Sequence, residues 1–202
     1  MKFIAGIIAL LMSCAVSANT QEGPFGLKWG SSIKEIKAKG IKLEKANSES
    51  VLSIYTTKKL PKNLSLADIY VLTFDKKYKL QNVAMLSKDI SDDIYGADGK
   101  EKYLSIKEKL IKKYGAPSFE YEYIGRDLFD EADEFYQCLA YSGCGTWLSA
   151  FEPKVENFSA LIELKGMGRG KGYIELTYEG PSWSDVVDAM KSSASKSDDD
   201  AL

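Results

Sequence analysis

One stretch limits the folds open to this chain more than any other. Glu101 to Pro117, EKYLSIKEKLIKKYGAP, reads as a helix and divides the sequence into two β-rich halves. Tyr103, Ile106, Leu110 and Tyr114 recur at three- and four-residue steps, with Leu104 and Ile111 on an adjoining strip. Asp98 is placed to act as N-cap, with Glu101 three residues on as its capping-box partner. Gly115 can take the left-handed conformation just past the helix end, and Pro117 prevents the helix from resuming.

The first half opens on an apolar anchor, Phe25, Leu27 and Trp29, ahead of a short helix. Ser32 and Glu35 form a capping-box pattern, Ile33 and Ile36 face inward, and Gly40 ends the helix. Strands are expected over Val51–Lys58, Ala67–Asp75 and Leu80–Ser87, the last two joined by a turn from Asp75 to Lys79. Pro61 and Asn63 break the chain between the first two strands. The second half repeats this order. In Ser118–Ile124, Phe119, Tyr121 and Tyr123 alternate with Glu120 and Glu122, the period-two pattern of a half-buried strand. Further strands are expected over Thr146–Phe151, Ser159–Lys165 and Gly172–Tyr178.

The expected fold class is therefore α+β: two α-β-β-β(-β) units with antiparallel sheets and helices packed on one face. The units span residues 19–98 and 99–181, the second carrying an insert at 126–145. Residues 182–202 are expected to form a short helix and a mobile tail. Ser182 and Asp185 make a capping pair, and Trp183, Val187 and Met190 share a face. KSSASKSDDDAL has too few apolar residues to order itself.

Residues 1–18 read as an export signal: Lys2, a short apolar run from Phe3 to Met12, and the small residues Val16, Ser17 and Ala18 before a cleavage point. A rival reading takes Leu11-Met12-Ser13-Cys14 as a lipobox, making Cys14 the site of a lipid anchor. No other segment is long enough and apolar enough to span a bilayer as a helix. The expected localisation is periplasmic or secreted, with a lipoprotein as the alternative. Cys138 and Cys144, the thiols that remain after cleavage, are expected to pair as a disulfide in an oxidising compartment.

Histidine is absent from the sequence, which removes Ser-His-Asp and Cys-His catalysis and every histidine metal site. The formal net charge of −2 argues against nucleic acid, which calls for a basic face. Charge is unevenly spread. Residues 31–116 hold 18 lysines and 11 acids, whereas residues 117–202 hold 7 basic and 17 acidic residues. Such asymmetry would give a large dipole if the halves fold apart; the favoured expectation is that the halves attract one another and each solvates its own surface.

Two motifs carry a family resemblance. Trp29-Gly30-Ser31-Ser32-Ile33-Lys34-Glu35-Ile36 resembles the "WGxSxxEI" helix start of small exported bacterial proteins, and Lys113-Tyr114-Gly115-Ala116-Pro117 resembles their "KYGxP" helix end. The helix-then-strands plan is similar to outer-membrane-assembly lipoproteins of the BamE (SmpA/OmlA) type and, doubled, to the β-lactamase inhibitor protein. The resemblance implies a noncatalytic partner-binding module. It carries over no binding residue.

The insert supplies the candidate site. Leu128, Ala132, Phe135 and Leu139 have helical spacing, and Asp127, Asp130, Glu131, Asp133 and Glu134 crowd the first turns. Stapled by Cys138–Cys144, the insert would present Asp130, Glu131, Asp133, Glu134, Phe135, Tyr136, Tyr141 and Trp147 as an acidic, aromatic binding surface. The competing reading is a stapled cover whose aromatics lie in the core. A hydrolase built on facing carboxylates is a further alternative, as is a small-ligand or lipid carrier using a cleft between two sheets. Asp89, Asp92, Asp93 and Asp98 fail the EF-hand template, leaving an irregular calcium site as the only metal reading, and none is assigned. No cofactor or catalytic residue is assigned. The glycine-rich run Lys165–Gly172 reads as a hairpin turn ahead of an anion nest, and Ser142 as a turn residue. The functional expectation is a noncatalytic exported protein-binding module, an inhibitor or an envelope-assembly accessory, whose partner is a protein of the cell envelope.

Overall fold

A computed structural model describes residues 21–46, 52–125, 128–153 and 157–201. The expected export signal and Cys14 lie outside the described residues, as do Arg126 and Asp127 of the insert. In chain order the elements are α1 (Ile33–Ala38), β1 (Glu44–Lys45), β2 (Ser53–Thr57), β3 (Ala67–Asp75), β4 (Lys79–Ser87), α2 (Ala97–Tyr114), β5 (Phe119–Tyr123), α3 (Phe135–Ala140), β6 (Thr146–Phe151), β7 (Ser159–Gly168), β8 (Lys171–Glu179) and α4 (Trp183–Ala201).

The eight strands form one antiparallel sheet in the order β1-β2-β3-β4-β8-β7-β6-β5. Each half supplies a helix and a four-stranded meander, and the meanders meet where β4 pairs with β8, Met85 opposite Leu176. The α+β class thus stands, with the two expected sheets fused into one. Among the described residues there is no second sheet, so the inter-sheet cleft of the carrier reading has no place in this fold.

Period-two patterning sets the core face. Tyr70, Leu72 and Phe74 of β3, Val83 and Met85 of β4, Ile174 and Leu176 of β8, and Ile162 and Leu164 of β7 are all buried on one side. Helix α2 covers the second half of this face with Tyr103, Ile106 and Leu110, while Leu27, Trp29 and Ile36 close the first. Leu104 and Ile111, the adjoining strip of α2, are instead exposed at 49% and 38%.

Local chemistry explains the element ends. Ser32 Oγ accepts the Glu35 N–H at 3.3 Å while Glu35 Oε2 accepts the Ser32 N–H at 2.7 Å, so the α1 capping box is complete. The β3–β4 turn is held by Asp75, whose Oδ1 accepts the N–H groups of Lys77 and Tyr78, each at 2.7 Å. Asp98 does not cap α2. The helix begins one residue before it, and its free N–H groups are served from outside by Asp93, whose Oδ2 accepts the Gly99 N–H at 2.9 Å. Asp98 pairs with Lys102 one turn on. At the other end Gly115 has φ +90°, and its N–H donates to Ile111 O at 2.8 Å.

The C-terminal segment departs from expectation. Helix α4 continues to Ala201 through the stretch expected to be a mobile tail, because no glycine or proline interrupts it after Pro181. Val186 is its buried anchor, and Met190 is 38% exposed.

Candidate binding surfaces

The insert is built around a buried pair of rings. Phe135 and Tyr136 are wholly buried, so neither can present a surface, and the aromatic half of the expected site belongs to the core. Trp147 lies on the core face of β6, with the Phe135 ring at 5.4 Å and Lys100 Nζ at 5.2 Å. Tyr141 is the exposed aromatic of the set, at 55%. Asp130 and Glu131 are exposed, Glu134 is half-buried, and Asp133 is paired with Arg169 of the β7–β8 turn. The structure therefore leaves Asp130 and Glu131 in water at the insert's start and engages Asp133 with Arg169, while Phe135, Tyr136 and Trp147 turn to the core side.

The insert helix is also shorter than its spacing suggests. A 3-10 turn at Ala132–Glu134 precedes α3, and Leu128 lies outside it, 46% exposed. Glu131 and Glu134 form the capping box of that turn. The Cys138–Cys144 disulfide closes the return into β6, with Cα atoms 5.1 Å apart.

Glycines make room for α3. A Cβ at Gly99 or Gly172 would collide with the Tyr136 ring or hydroxyl, and one at Gly166 would strike the Tyr136 carbonyl oxygen. Tyr136 thus lies in a slot that only hydrogen side chains permit, and its hydroxyl donates to Asp93 Oδ2 at 2.8 Å. The Lys165–Gly172 run closes a hairpin, but the turn itself is only Arg169-Gly170, because β7 pairs as far as Gly168 and β8 from Lys171. Two of its three cations are engaged, Arg169 with Asp133 and Lys165 Nζ with Glu163 at 2.8 Å. Among the described residues no cluster of three or more Asp, Glu, Cys or His side chains converges on a point.

Strand β5 presents a different surface, one the expected site omitted. It forms an edge of the sheet, paired with β6 through Tyr121 opposite Leu148. Its alternation is real, but the acids take the helix side. Lys107 of α2, with its side chain only 9% exposed, reaches Glu120 Oε2 at 2.6 Å and Glu122 Oε1 at 2.5 Å. Burial would lower the Lys107 pKa, but the two carboxylates outweigh it and hold it above the ordinary lysine value. Beside it the Tyr103 hydroxyl shares a 2.8 Å hydrogen bond with buried Ser149, and burial drives the phenol well above its usual range.

Because the acids turn inward, the aromatics turn out. Phe119 is 57% exposed and Tyr121 40% exposed, their rings stacked parallel at 6.3 Å. Tyr123 continues the row, its ring 5.8 Å from Tyr121. The same face of the sheet runs on through Leu148, Leu161, Leu86, Val71 and Ile54, all half-buried, with Glu163, Lys165 and Glu175 forming an ion cluster among them on β7 and β8.

A concavity lies at the opposite edge of the sheet, around β1 and β2. It is a cleft of about 700 Å³ between the end of α1 and the segment after β2. No family model, no curated protein and no solved structure matches this chain.

Proposed function

We propose that this chain is a noncatalytic, exported binding protein whose partner is another protein, docked on the open sheet face at its β5 edge. The observation that carries the reading is the outward row of Phe119, Tyr121 and Tyr123 on an edge strand whose charges are turned inward. Edge strands are ordinarily protected by outward charges, since an exposed apolar edge invites pairing. Here the protective residues are spent on Lys107, and the edge keeps large stacked rings in water. Aromatic side chains are enriched at protein interfaces, because rigid rings contribute area at small entropic cost. The continuous half-buried face beyond β5 offers room for the roughly 800 Å² per partner that a stable interface buries.

Export is supported by the leader pattern of residues 1–18 and by the Cys138–Cys144 disulfide, a bond favoured in oxidising compartments. The resemblance of the helix ends to BamE-type and β-lactamase-inhibitor-like proteins supports a scaffold without chemistry of its own. Glu120 and Glu122 share one lysine and so serve as an ion clamp, and Glu163 and Glu175 share Lys165 in the same way.

The test is affinity capture from an envelope extract with three proteins: wild type, Phe119→Ser/Tyr121→Ser, and a charge-reversed Asp130→Lys/Glu131→Lys. A partner identified with wild type should be lost with the β5 variant and kept with the insert variant. Equal recovery with the β5 variant rules the surface out, and loss with the insert variant alone returns the site to the insert. Wild type is expected to sediment as a monomer. A dimer abolished by the β5 substitutions would instead make the face a self-association surface.

A further inference from the structure

The cleft at the β1–β2 edge has the composition of a ligand site of its own. Its rim carries Lys39, Lys42, Lys58 and Lys59, with Glu44 the one acid among the lining residues. All four lysines are exposed, and among the described residues none forms an ion pair. Its floor is apolar: Ile41 and Leu60 are 8% and 5% exposed, and half-buried Ile69 of β3 joins them.

The chain builds this arrangement locally. Gly40, with φ +80°, ends α1 so that Lys39 stays in water while Ile41 turns into the core. On the facing side, Thr57 Oγ1 donates to Lys59 O at 3.2 Å, and Asn63 Oδ1 accepts the Leu60 N–H at 2.8 Å. The chain therefore bends sharply after β2, leaving Lys58 and Lys59 outside and Leu60 inside. Lys62 N–H donates to Phe25 O at 3.0 Å and ties the far wall to the N-terminal anchor.

Four like charges around one concavity repel one another, and low-dielectric walls focus their field into the cleft. No described carboxylate neutralises them at contact distance. A bare inorganic anion would satisfy the rim and leave the floor wet, while an uncharged apolar molecule would satisfy the floor alone. At about 700 Å³ the cleft falls within the range of small-molecule sites, roughly 300–1,000 Å³. We infer that this cleft binds a single-chain amphipathic anion, its carboxylate or phosphate head among Lys39, Lys42, Lys58 and Lys59 and its apolar body over Ile41, Leu60 and Ile69. The site lies at the opposite edge of the sheet from β5.

Calorimetric titration of the full chain with sodium laurate tests it. Laurate should bind one to one, and raising the salt from low to physiological should weaken it several-fold as the rim is screened. Dodecyltrimethylammonium, with the same tail and the opposite head, should bind at least about tenfold more weakly, a difference of about 1.4 kcal/mol. Lys39→Gln/Lys42→Gln/Lys58→Gln/Lys59→Gln, at exposed positions where folding can be confirmed by an unchanged melting curve, should weaken laurate by about tenfold or more. Phe119→Ser/Tyr121→Ser should bind laurate as wild type does. The inference is overturned if the quadruple variant keeps wild-type affinity, or if the cationic amphiphile binds equally well. It is also overturned if inorganic phosphate binds as tightly as laurate, which leaves the floor no role. Binding to phosphatidylglycerol vesicles without binding free laurate overturns it too, in favour of a membrane-surface contact.

Discussion

The hydroxyl of Tyr136 donates to Asp93 Oδ2 at 2.8 Å, and through that carboxylate the insert is fastened to the start of the central helix. The same oxygen accepts the Gly99 N–H, so one side chain caps α2 and holds α3 down. This couples two segments 43 residues apart and makes the insert part of the scaffold.

Removing that carboxylate should therefore loosen both helices. Asp93→Ala should cost about 2–3 kcal/mol, a lost cap plus a phenol left without its acceptor. Tyr136→Phe should cost about 1 kcal/mol, and the double variant should cost less than the sum, since each change removes the same bond. Burial pushes the Asp93 carboxyl up, but the Gly99 N–H and the Tyr136 hydroxyl outweigh it and hold it below the usual carboxylate range. A depressed folded value means stability that is present above roughly pH 4 and lost as pH falls through the folded pKa. Urea titrations at pH 7, 5 and 3 should show a shallower acid loss for Asp93→Ala than for wild type. Identical slopes would leave the coupling without support.

Lys107 is the corresponding fastener at the sheet edge. Lys107→Met should destabilise by about 1–3 kcal/mol, below the figure for a fully buried pair because Glu120 and Glu122 stay partly in water. Hydrogen exchange should quicken along β5 while the β3–β4 hairpin stays protected. The folded pKa of Lys107 is raised, so its contribution is complete below about pH 10 and lost as pH climbs through the folded value. Tyr103 moves the same way, chiefly through burial. Wild type should thus lose stability above about pH 10, and Lys107→Met should lose less over that interval. Equal alkaline losses would show that the clamp carries no linkage.

These two fasteners mark where the sequence was legible and where it was not. The Ser32–Glu35 box, the Asp75–Lys79 turn and the Cys138–Cys144 bond, which has a separation of 6, are each set by near neighbours in sequence, so local pattern was enough to find them. The orientation of β5 was not local. Period two says that Phe119 and Glu120 face opposite ways, but the buried cation that draws the acids inward is Lys107, on another element. Asp98 stood at a plausible capping position and lost to Asp93, whose loop folds back over the helix start. The aromatics of the insert had helical spacing whether they faced water or core, and what sends Phe135 and Tyr136 inward is a gap left by glycines far away in sequence.

The disulfide should contribute by limiting the unfolded chain. For a loop this short, with a separation of 6 residues, the chain-entropy model gives about 2 kcal/mol. Cys138→Ala/Cys144→Ala should lower the urea midpoint accordingly without changing the slope of the transition. Thiol labelling of the wild type unfolded in urea, without reductant, should find neither Cys138 nor Cys144 reactive, a test that burial of the two sulfurs in the folded state does not mask. Full labelling of both would mean that the bond is not formed in solution.

Gly166 offers the sharpest test that the insert is a seat for α3. A Cβ there would stand 2.6 Å from Ala140 N and 3.0 Å from the Tyr136 carbonyl carbon, and closer still to the carbonyl oxygen. These are backbone atoms, so no rotamer change relieves the contact, and α3 must move as a body. Moving it withdraws Tyr136 from Asp93 and Phe135 from Trp147, which adds lost hydrogen bonding and ring packing to the overlap. Gly166→Ala should cost at least about 2–3 kcal/mol, the upper part of the overpacking range. Its near-ultraviolet signal should change as Trp147 loses the Phe135 ring. Met167→Ala, one residue on and 54% exposed, should stay within about 0.5 kcal/mol of wild type. If Gly166→Ala melted with wild type, α3 would have to sit away from β7, and the insert would be free to serve as a surface after all.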